Sequence, residues 1–174
     1  PYTERRTARR TFSLSGSAMG VCLAMLLWEA AHATFDASVS TGILTSNQKF
    51  RGAAAVGTNV VFAPTKASVI GVFDVTTGTF DSSVSTPGTL PSNQKFNGAA
   101  AVGTKVIFAP GRADDVIVYD ADDATFDVIP LSGSPIYGVD NKFNGAAAVG
   151  TKVVFAPSNS DYIGVYDVSE CEAA

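Results

Sequence analysis

The chain has 174 residues, 16% of them charged, with a single His, two Cys and a net charge of −4. That charged fraction lies well below the ~25% of ordinary soluble proteins. Residues 34–174 carry eight Lys/Arg against fourteen Asp/Glu, whereas residues 1–33 carry four Arg against two Glu. An acidic body argues against a nucleic-acid partner, because neutralising phosphates requires clustered Lys and Arg.

The first element in chain order is an address. A basic stretch ends in Arg9-Arg10-Thr11-Phe12-Ser13-Leu14, an apolar run extends from Leu14 to Trp28, and Ala31-His32-Ala33 closes it. Basic region, short apolar core and small-x-small end make an export signal. The run has 15 residues, against roughly 20 for a membrane-crossing helix, so a cleavable signal is expected over residues 1–33, with a retained short anchor helix as the alternative. Arg9, Arg10, Phe12 and Leu14 resemble the twin-arginine signals of the Tat route, with Ala31 and Ala33 marking the cut. The basic residue that often follows in that class is replaced by Gly16 and Ser17, and a general secretory signal is the competing reading. The resemblance implies export across a membrane: the thylakoid lumen in an alga, otherwise the periplasm or the exterior. Pro1 is not an initiator Met, which suits a fragment or a chain from which a plastid transit peptide has already been removed.

From Thr34 onward the chain repeats. Lys49-Phe50-Arg51-Gly52-Ala53-Ala54-Ala55-Val56-Gly57-Thr58 returns from Lys95 and again from Lys142, at spacings of 46 and 47 residues. Val61-Phe62-Ala63-Pro64 returns from Ile107 and Val154; Gly71-Val72-Phe73-Asp74 returns from Ile117 and Gly164. Thr34-Phe35-Asp36 returns at Thr79 and Thr125. The units run over about residues 34–81, 82–127 and 128–174.

Each unit predicts four short strands. The Ala-rich run is the first, and Gly-Thr turns it into a second strand of β-branched and aromatic residues that Ala-Pro stops. Three alanines favour helix by propensity, but the turn follows too soon to leave room for one. A third strand ends at Asp, and Thr-Phe-Asp opens the fourth. Four strands in 40–50 residues make one blade of a β-propeller, with small residues on the strand nearest the axis. The expected fold is therefore all-β: a partial propeller of about three four-stranded antiparallel blades.

The order of residues resembles the kelch type over residues 34–170. Two positions depart from it: Ala63-Pro64, Ala109-Pro110 and Ala156-Pro157 stand where kelch units have paired glycines, and Phe35, Phe80 and Phe126 stand where they have Trp. The repeats are also similar to those of marine microalgal proteins. The fourth strand at Thr34 and the third strand ending near Val168 would complete one blade by pairing. Three blades fall short of the usual four to eight. A homodimer completing a six-bladed ring, a partner on the open faces, and a truncated or open fragment all answer that shortage.

Little chemistry is visible. His32 lies at the expected cut, which leaves the body without His-based catalysis or His-ligated metal; no catalytic, cofactor-binding or metal residue is assigned. Asp74, Asp120 and Asp167 share one repeat position and are expected to accept backbone hydrogen bonds in the following turn. Asp36, Asp81 and Asp127 are read the same way, and Asp114-Asp115 and Asp122-Asp123 as solvated loop charges. Lys49, Lys95 and Lys142 each precede a first strand and suit either a channel-mouth ring for an anion or ordinary strand-edge lysines.

Function is then expected from shape. A non-catalytic, exported binding or scaffold protein would use its variable loops, with Lys66, Arg112, Asp114, Asp115, Asn159 and Asp161 as candidate contacts. The partner would be a protein, in an algal lumen a photosynthetic membrane complex. The alternatives are a piece of a larger propeller enzyme or carbohydrate-binding protein whose active residues lie on further blades, and a self-assembling structural protein.

Overall fold

The computed structural model describes residues 35–88 and 90–171. Contacts divide the chain into two units, Pro1–Phe35 and Asp36–Ala174, and all the strands described belong to the second. Arg9, Arg10, Phe12, Leu14, Ala31 and Ala33, with the expected signal helix, lie outside the described residues.

Three antiparallel sheets follow one another. The first holds β1 (Phe50–Val56), β2 (Asn59–Pro64), β3 (Gly71–Asp74) and β4 (Thr79–Asp81) in sequence order. The second repeats the pattern with β5 (Phe96–Val102), β6 (Lys105–Pro110), β7 (Asp115–Asp120) and β8 (Thr125–Pro130). The third holds β9 (Phe143–Val149), β10 (Lys152–Pro157) and β11 (Gly164–Asp167), after which Val168–Cys171 forms one 3-10 turn. Among the described residues there is no α-helix.

The Ala-rich runs are strands, as the Gly turn requires. Ala54, Ala100 and Ala147 pair with Val61, Ile107 and Val154 across the first hairpin of each sheet. Gly57, Gly103 and Gly150 make the reversal at φ of 57°, 59° and 59°, a region in which a Cβ is costly. Small residues here let neighbouring sheets touch backbone to backbone. β1 lies against β5, and β5 against β9. A Cβ on Gly52 would sit 2.7 Å from Gly98 Cα, and one on Gly98 would sit 2.7 Å from Gly145 Cα.

Two hydrophobic cores fill the spaces between sheets. Val61, Ala63 and Ile70 of the first sheet meet Phe96 and Phe108 of the second. Ile107, Ala109 and Val118 of the second meet Phe143, Val153 and Phe155 of the third. Strand alternation explains the division, since consecutive residues of β6 point to opposite faces. Each core seats an aromatic pair, Phe96–Phe108 and Phe143–Phe155, both at 5.4 Å between ring centres. The equivalent Phe50, Phe62 and Phe80 cluster on the face of the first sheet that points away from the second. There they border a groove of about 300 Å³ with Asp36, Ala37, Val39 and Thr41.

Three expectations about the strands need correction. The third sheet has three strands, not four. Phe35 and Asp36 are outside any strand, and Phe35 is 94% exposed. The reason is position: Asp36–Thr41 flank the aromatic groove of the first sheet, and the second sheet separates that sheet from β11. Asp127, expected to cap a turn, lies within β8 opposite Val118. Val128 and Ile129 follow it, and such residues favour strand; Ser82 and Ser83 follow the equivalent Asp81, which does cap, accepting from Ser83 N–H at 2.8 Å.

Candidate functional site

Each sheet has a turn end, where β1–β2 and β3–β4 reverse, and a loop end, where the second strand gives way to a polar loop and the returning chain enters the next sheet. The aspartates ending the third strands are at the turn end. Asp74 accepts from Thr76 N–H at 2.7 Å, Asp120 from Asp122 N–H at 3.1 Å and Asp167 from Ser169 N–H at 3.2 Å. This is the expected turn role. In the second and third sheets the carboxylate also pairs with the Lys that opens the second strand, Lys105 with Asp120 at 3.2 Å and Lys152 with Asp167.

These bonds lower the carboxyl pKa values. The backbone N–H of Thr76 holds Asp74 below the ordinary carboxylate range, and that of Asp122 does the same for Asp120. Asp167 is held far below it, first by Lys152 and then by Ser169. A group with a depressed folded pKa stabilises the fold above its unfolded pKa, and that contribution is lost as pH falls through the folded value. The melting temperature followed by circular dichroism is therefore expected to be level from about pH 7 to about pH 5 and to fall below about pH 4. Asp167→Asn should flatten that acid limb.

The loop end collects the candidate contact residues. It is built on the residue before each repeat Lys: Gln48, Gln94 and Asn141 take φ of 57°, 51° and 53°. Their carbonyls accept from the backbone N–H of Lys66, Arg112 and Asn159 at 3.3, 2.8 and 3.0 Å. The three loops are thus hung on equivalent points. At the second–third seam, exposed Arg112 donates through Nε to Asp140 at 3.0 Å and through Nη1 to Asn93 at 3.3 Å. The Asn159 amide donates to the Asp140 carbonyl at 3.0 Å. Arg112 and Asn159 therefore meet on one residue, Asp140. Lys66 and Asp161 are exposed on their own loops, and Asp115 begins β7.

Asp114 departs from the solvated role expected of it. Its carboxylate pairs with Lys142 Nζ at 2.8 Å and accepts Gly138 N–H at 2.9 Å. Burial pushes its pKa upward, but the Lys142 and Gly138 hydrogen bonds and the Lys142 charge outweigh that and hold it below the ordinary range. The repeat lysines depart from a channel-mouth ring as well. Lys95 and Lys142 are buried, and their ammonium groups donate to the Ala67 and Ala113 carbonyls of the preceding sheet at 2.9 and 3.0 Å. Burial lowers the Lys95 pKa. Both nitrogens join neighbouring sheets.

A polar file crossing the inner strands had no evident signal beyond its recurrence. Arg51 Nη1 donates to Asn97 Oδ1 at 3.3 Å, Asn97 Nδ2 to Asn144 Oδ1 at 3.3 Å, and Asn144 Nδ2 to Ser158 Oγ at 2.9 Å. Arg51, Asn97 and Asn144 share one repeat position next to the glycines; the first two bonds cross to the adjacent sheet, and the third ends the file on the loop after β10 of the same sheet. Among the described residues no three His, Cys, Asp or Glu side chains gather in a metal-holding group.

Sheets of three or four antiparallel strands, packed through small-residue inner strands, define a partial β-propeller. Solved structures agree. The chain is similar to hydrazine synthase of Kuenenia stuttgartiensis, with a TM-score of 0.53 at 15% identity over 75% of this chain and 36% of that one. It is similar to PorZ, a surface component of the type-IX secretion system of Porphyromonas gingivalis, with a TM-score of 0.50 at 13% identity over 70% of this chain and 16% of that one. The chain therefore spans about a third and about a sixth of these two proteins, and the likeness is one of fold. No family model and no curated protein matches it in sequence.

Proposed function

We propose that the chain is an exported, non-catalytic, kelch-like propeller segment that holds a protein partner at its loop end. The observation that carries this reading is the Arg112–Asp140–Asn159 cluster: exposed charged and amide groups fixed on backbone carbonyls of a rigid sheet framework. Side chains already ordered lose less entropy when a partner binds. In an alga the twin-arginine-like order of Arg9, Arg10, Phe12 and Leu14 supports the thylakoid lumen as the compartment, with a membrane-embedded photosynthetic complex as the fitting partner.

Two measurements test the reading. Mass spectrometry of the native protein should find an N-terminus at Thr34 in a lumenal, periplasmic or secreted fraction; an uncut chain in the cytosol ends the export half. Crosslinking in the native compartment should give a discrete partner adduct that Arg112→Glu weakens at least about tenfold, as loss of a charged interface contact does. An adduct indifferent to Arg112→Glu would remove the loop end from the binding surface. The enzyme alternative keeps one discriminator: further blades in the full transcript bearing His, Arg or Tyr toward the channel.

A further inference from the structure

Both joints between sheets are made of the same parts. Across the first, Lys95 N–H and Nζ donate to the Thr65 and Ala67 carbonyls at 3.1 and 2.9 Å. Across the second, Lys142 N–H and Nζ donate to the Gly111 and Ala113 carbonyls at 3.1 and 3.0 Å. The repeat continues this series in both directions. Its next donor is Lys49, and its next acceptors are the Ser158 and Ser160 carbonyls. Among the described residues Lys49 meets no such carbonyl, and those two carbonyls receive no such donor.

Three further features at the two ends match. Gly52 and Gly98 are each pressed against the next sheet's glycine, whereas a Cβ on Gly145 would meet only Ala156 Cβ, at 3.8 Å. Ile163 and Val165 are 67% and 58% exposed, while their equivalents Val116 and Val118 are 5% and 1% exposed. Finally, the returning chain is stitched to the preceding sheet by Ile70 N–H to Val84 O and Thr86 N–H to Ser68 O, both at 2.8 Å. The equivalents of Val84 and Thr86 are Val39 and Thr41, and those of Ile70 and Ser68 are Ile163 and Asp161. Asp36–Thr41 flank the first sheet, and among the described residues Val39 and Thr41 make no such bond with Ile163 and Asp161.

We propose that two copies of the chain associate head to tail. The Phe35–Thr41 segment and Lys49 of each copy dock on the Ser160–Val165 edge of the other, supply the outer strand its third sheet lacks, and close six sheets into a ring. The occupant is a second copy because each open edge complements the other in donors, acceptors and apolar side chains, and because the same joint already forms twice within one chain. A heterologous contact made twice between two copies closes without a free edge. This assembly uses the end faces of the sheet series and shares Asp161 with the loop-end candidates, but it does not depend on Arg112 or Asp140.

Native mass spectrometry and sedimentation of the full chain test it. A dimer of twice 17.9 kDa is expected. Gly145→Ala adds one methyl where the chain itself has room, and should weaken the dimer by about a hundredfold, since a Cβ in such a glycine seam forces backbone apart. Lys49→Met should weaken it by about tenfold. Circular dichroism of both variants should remain that of the wild type. A monomer, an open ladder of growing species, or a dimer that resists both substitutions overturns the proposal; the last outcome would assign association to residues outside these edges.

Discussion

Gly98→Ala is expected to cost about 3 kcal/mol in urea unfolding, at the upper end of overpacking penalties. The added Cβ would lie 2.7 Å from Gly145 Cα, 3.0 Å from Gly145 C and 3.1 Å from Ala146 N. All three are backbone atoms of a paired strand. No rotamer change can relieve the contact, so β5 and β9 must separate and the core holding Phe143 and Phe155 must open with them. Gly145→Ala is the matched control. Measured at a dilution where the chain is monomeric, it should change stability by less than about 0.5 kcal/mol. Equal losses in the two variants would show that glycine is needed here for the strand itself and not for the seam.

Lys142→Met should be the most damaging of the three repeat-lysine substitutions. Its ammonium is fully buried, donates to the Ala113 carbonyl and pairs with Asp114, whose side chain is 37% exposed. Removing one member of a buried pair costs ~3–5 kcal/mol, and the partial exposure of Asp114 reduces this to about 2–3 kcal/mol. Lys95→Met orphans one carbonyl, that of Ala67, and should cost about 1–2 kcal/mol. Lys49→Met, again in the monomer, should be nearly neutral. The ordering is the result to look for in denaturant midpoints. Three similar values would mean that the lysines act through their aliphatic stems, not through the sheet-joining bonds.

The part of the fold legible in the sequence was the part encoded within one repeat. Gly57-Thr58 leaves the preceding alanines no length for a helix, and a third-strand Asp followed by a polar turn caps it, as Asp74 and Asp120 do. What eluded the sequence lies between repeats. The bond from Lys142 reaches a carbonyl 29 residues earlier, and nothing near Lys142 specifies that acceptor. The anion-ring reading failed there because a recurring exposed-type residue does not reveal which way it points. Phe35 misled in the opposite sense. It matches Phe80 in sequence, but the strand it would pair with must stand beside it, and β11 stands beside the second sheet. Of the candidate surface, Arg112 and Asn159 were legible as variable loop positions. Asp140, which holds both, belongs to the connection before the third sheet and gave no local sign of that role.

The sameness of the two seams bears on how such a chain changes in evolution. Every unit brings its own Lys and glycine for the neighbour before it, and its own carbonyls and small residues for the neighbour after it. Duplication or loss of one whole 46- or 47-residue segment therefore preserves the Lys-to-carbonyl bond and the glycine contact of each remaining junction, while the Asp114–Lys142 pair belongs to the second seam alone. Copy number can drift under recombination while those shared contacts stay constant, and the pressure that fixes the number of units acts on closure of the assembly alone.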